Sequence, residues 1–271
     1  MLVLSEPRLF KIRSAGIGQR GQRALYCRWS MATETESAAE LSKTAELLKT
    51  AEPHIGTLNE GSLHAALKAR YAEPGDTFEV PLDRFVIDIR QPDRLVEIQT
   101  GSFAAMGKKL DHLLGEHRML LVHPIAVESY LQRPDKPARE SPKKSSIYGL
   151  FDQLVSIPTL LDHPNLTLDI VLVSVTKVQE HDPNARRGRG GYRTIDRVLR
   201  EVHETHRFET TRDLLKLLPD DLPPVFTTAD MANAGTFDRD VARQIAYCFR
   251  ALGFFDEIGR TKAGYNYRLS T

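Results

Sequence analysis

Cysteine is nearly absent from this chain: Cys27 and Cys248 are the only two in 271 residues. A pair so far apart gives no disulfide framework and no cysteine-based metal cluster, and it makes a reducing, cytoplasmic compartment the expectation. No apolar run approaches the roughly 20 residues of a membrane span, so no membrane partner is expected. An excess of either charge is missing too. Lys and Arg number 37 against 36 Asp and Glu, for a net charge of +1, so no global field draws the chain to a polyanion and any such attraction must be local. There are no internal repeats. The nine histidines show no ligand spacing, and His123 reads as structural or solvated. What remains is an ordinary globular composition, 41% hydrophobic and 27% charged, long enough for one large domain or two small ones.

Four segments are expected: a disordered or helical N-terminal extension over 1–50, an α/β domain over 51–182, a basic loop and linker helix over 183–207, and a mostly helical unit over 208–271. Residues 1–30 are Arg-rich and poor in acid, with a second Met at position 31. They read as a disordered extension or an over-annotated start, with a transit peptide as the alternative. A helix is expected near 59–71, opened by Thr57-x-x-Glu60. Short strands follow at 78–81, 84–90 and 95–100, then a helix over 103–116 with the stripe Phe103, Met106, Leu110, Leu113 and Leu114. Further strands are expected at 118–124 and 166–176, separated by a polar loop at 133–144 and a helix around 146–161. A helix over about 194–206 is predicted to join this to the C-terminal unit.

The segment Arg84–Thr100 reads as a hairpin with its turn at Gln91–Arg94. In that register Ile89 opposes Val96 and Asp88 opposes Glu97. Opposed side chains lie about 4.5–5.5 Å apart, so two like charges there repel. A bound divalent cation turns that repulsion into attraction. Gln99, two residues past Glu97, points to the same face. The bland reading is a solvated sheet face whose acids are neutralised by Arg90 and Arg94.

The element order helix, strand, strand, strand, helix, strand over residues 57–125, with Asp88 on the second strand and Glu97-Ile98-Gln99 on the third, resembles the PD-(D/E)XK nuclease superfamily. The resemblance implies a restriction-endonuclease-like α-β-β-β-α-β core and Mg²⁺- or Mn²⁺-dependent cleavage of phosphodiesters. Asp88 and Glu97 match the metal ligands, and Gln99 occupies the position of the family's lysine. Glutamine can orient a water but supplies no positive charge. Some members carry the lysine on the following helix, where Lys108 and Lys109 stand. At 100° per residue Lys108 points away from the apolar stripe and Lys109 about 90° from it, so Lys109 is the better candidate. The literal Pro92-Asp93 lies in the turn, too close to Glu97 to be the first carboxylate. Glu60 is the third ligand candidate, in competition with a capping-box role beside Thr57.

Residues 186–200 form the most basic stretch, with Arg186, Arg187, Arg189, Arg193, Arg197 and Arg200 against Asp196. They are candidates for gripping phosphate from a loop loosened by Gly188, Gly190 and Gly191. The pattern after 208, three helices and a hairpin over 254–269 with its tip at Thr261–Gly264, is that of a winged helix. The helix over 238–252 has the core stripe Val241, Ile245, Cys248 and Leu252, with Arg239, Arg243, Tyr247 and Arg250 on the opposite side. Arg260 and Lys262 sit on the proposed wing, and together these residues are candidates for contacting nucleic acid. DNA is the expected partner, and the expected activity is metal-dependent endonucleolytic cleavage in defence or repair. The alternatives are a nuclease-fold regulator that binds DNA without cutting it and a protein-interaction scaffold. Homodimerisation stays open.

Overall fold

A computed structural model describes residues 61–134, 136–184, 191–262 and 264–270, all within the compact unit Ile55–Thr271. The expectations for the 1–50 extension, Thr57, Glu60, Arg186, Arg187 and Arg189 lie outside the described residues. The chain forms a mixed α/β fold. Its order is α1 (Ser62–Tyr71), β1 (Thr77–Leu82), β2 (Phe85–Arg90), β3 (Leu95–Ile98), α2 (Gly107–Leu113), β4 (Met119–Gln132), β5 (Arg139–Glu140), α3 (Leu150–Leu154), β6 (Leu166–His181), β7 (Tyr192–Phe208), α4 (Thr228–Ala234), α5 (Arg239–Ala251), β8 (Phe255–Thr261) and β9 (Gly264–Leu269). No helix among the described residues is long and apolar enough to cross a membrane.

One sheet runs β1-β2-β3-β4-β6-β7, with β5 hydrogen-bonded to β4. β1, β2 and β3 are antiparallel neighbours. β4 lies parallel to both β3 and β6, because a helical crossover intervenes on each occasion rather than a hairpin. Both faces of the sheet centre are covered, so all four residues of β3 are buried, as expected of a parallel-paired strand. α1 covers one face, seating Leu63 and Leu67 among Ile89, Val96, Ile98, Leu120, Val122, Val171 and Val173. On the other face, Leu110, Leu113, Leu121, Phe151, Leu168 and Ile170 share a single apolar cluster with Ile245, Phe249 and Phe255. The C-terminal elements therefore continue this core. Phe249 meets Phe151, Phe254 and Phe255 edge to face, and Gln244 donates to Asp152 of α3 at 2.7 Å.

Three expectations need correction. The helix predicted over 194–206 is part of the 17-residue strand β7. Its pairing with β6 is interrupted at Leu172/Val173, Ser174/Val175 and Val178/Gln179. Each bulge inserts one residue into β7 and flips the alternation after it. Leu199 and Val202, which meet the same apolar cluster, are thereby spaced by three, and a strand acquires a helical-looking period. The helix expected over 146–161 shrinks to the five residues of α3, with 3₁₀ turns at Ile147–Gly149 and Leu160–Asp162, because Pro158 cannot continue a helix. The first of the three helices expected after residue 208, over Thr211–Leu218, is a 3₁₀ helix at Thr211–Leu217 rather than an α-helix. The strands expected at 118–124 and 166–176 form and run on to Gln132 and His181.

Candidate metal centre

The hairpin has its expected register at Ile89–Val96 and Arg90–Leu95. Asp88 and Glu97 do not form the next rung. The strands part there, and Asp88 Oδ2 accepts the backbone N–H of Ile98 at 2.7 Å. A carboxylate has taken the place of a ladder carbonyl, which satisfies an N–H that the splay would otherwise orphan. The same oxygen accepts from His64 Nε2 of α1 at 3.2 Å. Both hydrogen bonds fall on Oδ2, leaving Oδ1 for a ligand.

Glu97 is 8% exposed. Its Oε1 accepts from Lys109 Nζ of α2 at 2.5 Å. Lys109 also donates to the Val86 carbonyl oxygen at 2.7 Å and is itself buried. An ammonium carries three N–H donors, so one is left over. Glu97 Oε2 is buried with no hydrogen-bond partner. The opening in the sheet is thus lined by Asp88 and Glu97, with α1 delivering His64 and α2 delivering Lys109.

The two acids are driven apart in acidity. Burial and the Asp88 charge push Glu97 up to about 7, although Lys109 pulls the other way. For Asp88 burial also pulls upward, but the hydrogen bonds from His64 and Ile98 and the charges of His64 and Lys109 outweigh it and hold the carboxyl below its usual range. Neighbouring carboxyls with separated affinities for a proton are a common property of catalytic pairs.

The structure brings Lys109 to Glu97, whereas Lys108 is exposed. Gln99 turns to its own loop, with Nε2 donating to the Ser102 carbonyl at 2.7 Å, and its backbone oxygen accepts from His123 Nδ1 at 2.6 Å. His123 is buried against Phe103, and burial lowers its proton affinity. Sequence reasoning missed His64. A histidine on the same helix face as buried Leu67 was the only signal, and it gained meaning once α1 was seated beside β2.

Donor chemistry suits a hard divalent cation: a buried, unpartnered carboxylate oxygen beside a second carboxylate. Among the described residues no group of three or more His, Cys, Asp or Glu is arranged around a common metal position, so water would fill most of the sphere, as Mg²⁺ prefers.

In the C-terminal region Arg239, Arg243, Tyr247 and Arg250 all lie exposed along α5. Arg243 pairs with Asp240 and Arg250 with Glu257 at 3.1 Å. Ala242, Ile245, Ala246, Cys248 and Phe249 are buried, while the expected stripe members Val241 and Leu252 are only half-buried. Arg260 rests on the ring of Tyr265 and Lys262 is exposed. Arg193 pairs across strands with Glu180 at 2.7 Å.

A model of the family described as Domain of unknown function (DUF8091) matches residues 61–209, more than half of the chain. The chain belongs to the DUF8091 family. The DUF8091 stretch runs from the start of α1 to the end of β7, so it contains the whole large sheet, Asp88, Glu97, Lys109 and His64. The C-terminal helices and the β8–β9 hairpin lie beyond it. A protein of Treponema pallidum (strain Nichols), described as an uncharacterized protein, is 32% identical over 191 residues, covering 67% of this chain and 75% of the relative. No solved structure matches.

Proposed function

We propose that this DUF8091 protein is a metal-dependent DNA endonuclease of the PD-(D/E)XK type, with its C-terminal unit serving as a winged-helix DNA contact. The observation that carries the reading is the unpartnered, buried Glu97 Oε2 beside Asp88, with the Lys109 ammonium on the same carboxylate. A fold with no use for that oxygen would cap it or replace the acid with a neutral residue.

The order α1-β1-β2-β3-α2-β4 supports the reading, as does the parting of β2 and β3 at the acids. Lys109 answers the substitution of Gln99 for lysine, since it brings positive charge from the following helix. Asp88 and Glu97 would hold Mg²⁺ or Mn²⁺. When bound, that ion lowers the pKa of a coordinated water and neutralises charge developing on phosphate. Lys109 fixes Glu97 through one donor and the Val86 carbonyl through another, and its third N–H can orient a water or a phosphate oxygen. His64 holds Asp88 in place. For the C-terminal unit, support comes from the order 3₁₀ helix, Phe226, α4, α5, β8, β9, in which Phe226 pairs with Tyr267 and adds a third short strand to the hairpin.

The test is cleavage of plasmid, single-stranded DNA and RNA in Mg²⁺ or EDTA. Cleavage of plasmid in Mg²⁺ alone is expected, abolished by Asp88→Asn and Glu97→Gln and lowered at least about 100-fold by Lys109→Met. Undiminished cleavage by Asp88→Asn would sink the assignment. A second reading, a nuclease-fold DNA-binding regulator, is favoured by the lack, among the described residues, of a third acid grouped with Asp88 and Glu97. It predicts DNA binding without cleavage in any metal.

A further inference from the structure

Beyond the metal centre, the ends of β4, β6 and β7 carry cations that have no ion pair among the described residues. Lys177 on β6 lies directly across from Arg197 on β7, with Leu131 of β4 on its other side. Lys143 is exposed in the segment after β5, which hydrogen-bonds along β4 through Ser141 to Ser129 and Ser145 to Val127, and its charge adds to that acting on Lys177. Lys177, Arg197 and Lys143 have no ion pair among the described residues, and the Lys177 ammonium has no hydrogen bond among them. Two residues further along β6, Gln179 points to the same face. It accepts from Arg133 at 3.1 Å, and the Arg133 guanidinium stacks 4.0 Å above the ring of Tyr192. The nearest acid on β7, Asp196, is committed elsewhere: it accepts from the backbone N–H and hydroxyl of Ser62 at the start of α1.

Lys177 is half-buried. Burial and the charges of Arg197 and Lys143 lower its proton affinity, with no carboxylate opposing them. Such a row costs stability in the free protein, since a partly desolvated cation is held against like charges. The same row is complementary to a polyanion that supplies several negative charges at once.

We propose that Lys143, Lys177, Arg197 and Arg133 form a phosphate-binding track for the DNA backbone on the α1-side face of the sheet. A nucleic acid fits better than an acidic protein surface. Lys177 and Arg197 sit on paired strands and Arg133 on an aromatic ring, and the nearby Asp196 already accepts two hydrogen bonds from Ser62, which leaves the cations to a ligand that carries a charge at every residue. The track lies further along the sheet than the metal centre: Glu97 is level with Leu121, which pairs with Leu168, and Lys177 is nine residues further along β6, while α1 links the two, with Ser62 on Asp196 and His64 on Asp88. The proposal rests on the DNA reading for the identity of the polyanion but not on cleavage.

The experiment measures binding of a short labelled DNA duplex by fluorescence anisotropy in EDTA, over a series of salt concentrations. It compares the full-length protein with Lys177→Met and Lys177→Met/Arg197→Met, with single-stranded DNA and polyglutamate as parallel ligands. The double variant should bind duplex several-fold more weakly, and the slope of log affinity against log salt should fall by about 2, roughly one per lost phosphate contact. Lys177→Met should also raise the melting temperature, because it removes the like-charge contact. Weaker binding with higher thermal stability is an outcome that a merely structural lysine would not give. An unchanged affinity and salt slope in the double variant, with wild-type binding intact, would overturn the track and leave the DNA reading standing. No duplex binding by wild type would remove both. Polyglutamate binding as tightly as DNA, with the same loss in the variants, would overturn the track in favour of an acidic protein partner.

Discussion

Replacing Glu97 with glutamine should make this protein more stable in alkaline buffer and leave it nearly unchanged in acid. The carboxyl rises from its ordinary 4.5 to about 7 in the folded chain. Between those values the folded state holds a proton that the unfolded state has released, so stability falls as pH rises through that window. The full cost is reached above pH 7. At about 1.4 kcal/mol per pKa unit, the ionised carboxylate costs roughly 3 kcal/mol. That figure already includes the attraction of Lys109, which acts on the same titration. Glutamine is a neutral copy of the protonated acid, so Glu97→Gln should gain about 3 kcal/mol at pH 8 and close to nothing at pH 4. Urea denaturation of both proteins at the two pH values reads this directly, as a shift in midpoint at constant slope. Mg²⁺ should act in the opposite sense: at about 100 times its dissociation constant it should stabilise the wild type by roughly 2.7 kcal/mol and the variant far less. A variant less stable than wild type at pH 8, or a difference that does not move with pH, would refute the reasoning.

Other consequences can be checked with the same equipment. Arg207 grips Asp169 through two hydrogen bonds at 2.8 and 2.9 Å, and Asp169 is 1% exposed. Arg207→Ala therefore strands a buried carboxylate and should cost about 3–5 kcal/mol, whereas Tyr71→Phe, which removes the third hydrogen bond to Asp169, should cost only about 1 kcal/mol; equal losses in urea melts would contradict this. Phe249→Ala should cost about 3–5 kcal/mol and shift one cooperative transition, because Phe249 shares its apolar cluster with the sheet; a second transition at unchanged temperature would show that the C-terminal region unfolds by itself. Burial pushes the Cys248 thiol up to about 12, so iodoacetamide should leave its peptide unlabelled in the native protein and label it in denaturant, as mass spectrometry would report.

How much of this was legible beforehand depends on the range of the forces involved. The Gln91–Arg94 turn, the register Ile89–Val96 and the β8–β9 hairpin follow from local alternation and turn chemistry, and the structure has all of them. The proximity of Asp88 and Glu97 was readable from that register, but the splay that buries them was not, because it depends on α1 and α2 seating on opposite faces. Lys109 could be ranked above Lys108 from helical angles alone; its reach to Glu97 needed the depth at which Met106 and Leu110 sink into the core. β7 was hidden for a different reason. Its bulges convert a two-residue repeat into one of three and four, and no periodicity argument recovers a strand whose period is broken by its partner.

Those bulges bear on how copies of the molecule can meet. Among the described residues the sheet has two outer strands, β1 and β7, each a row of amide and carbonyl groups able to recruit another strand. On β1 the row is interrupted by Pro81, which has no N–H to offer, and by Glu79, whose φ of 48° turns the backbone out of line. On β7 the three irregular steps break the spacing that an incoming strand would have to match. Among the described residues both margins are thereby poor templates for an added strand, so pairing of copies edge to edge is disfavoured and a long exposed strand is held from recruiting its like.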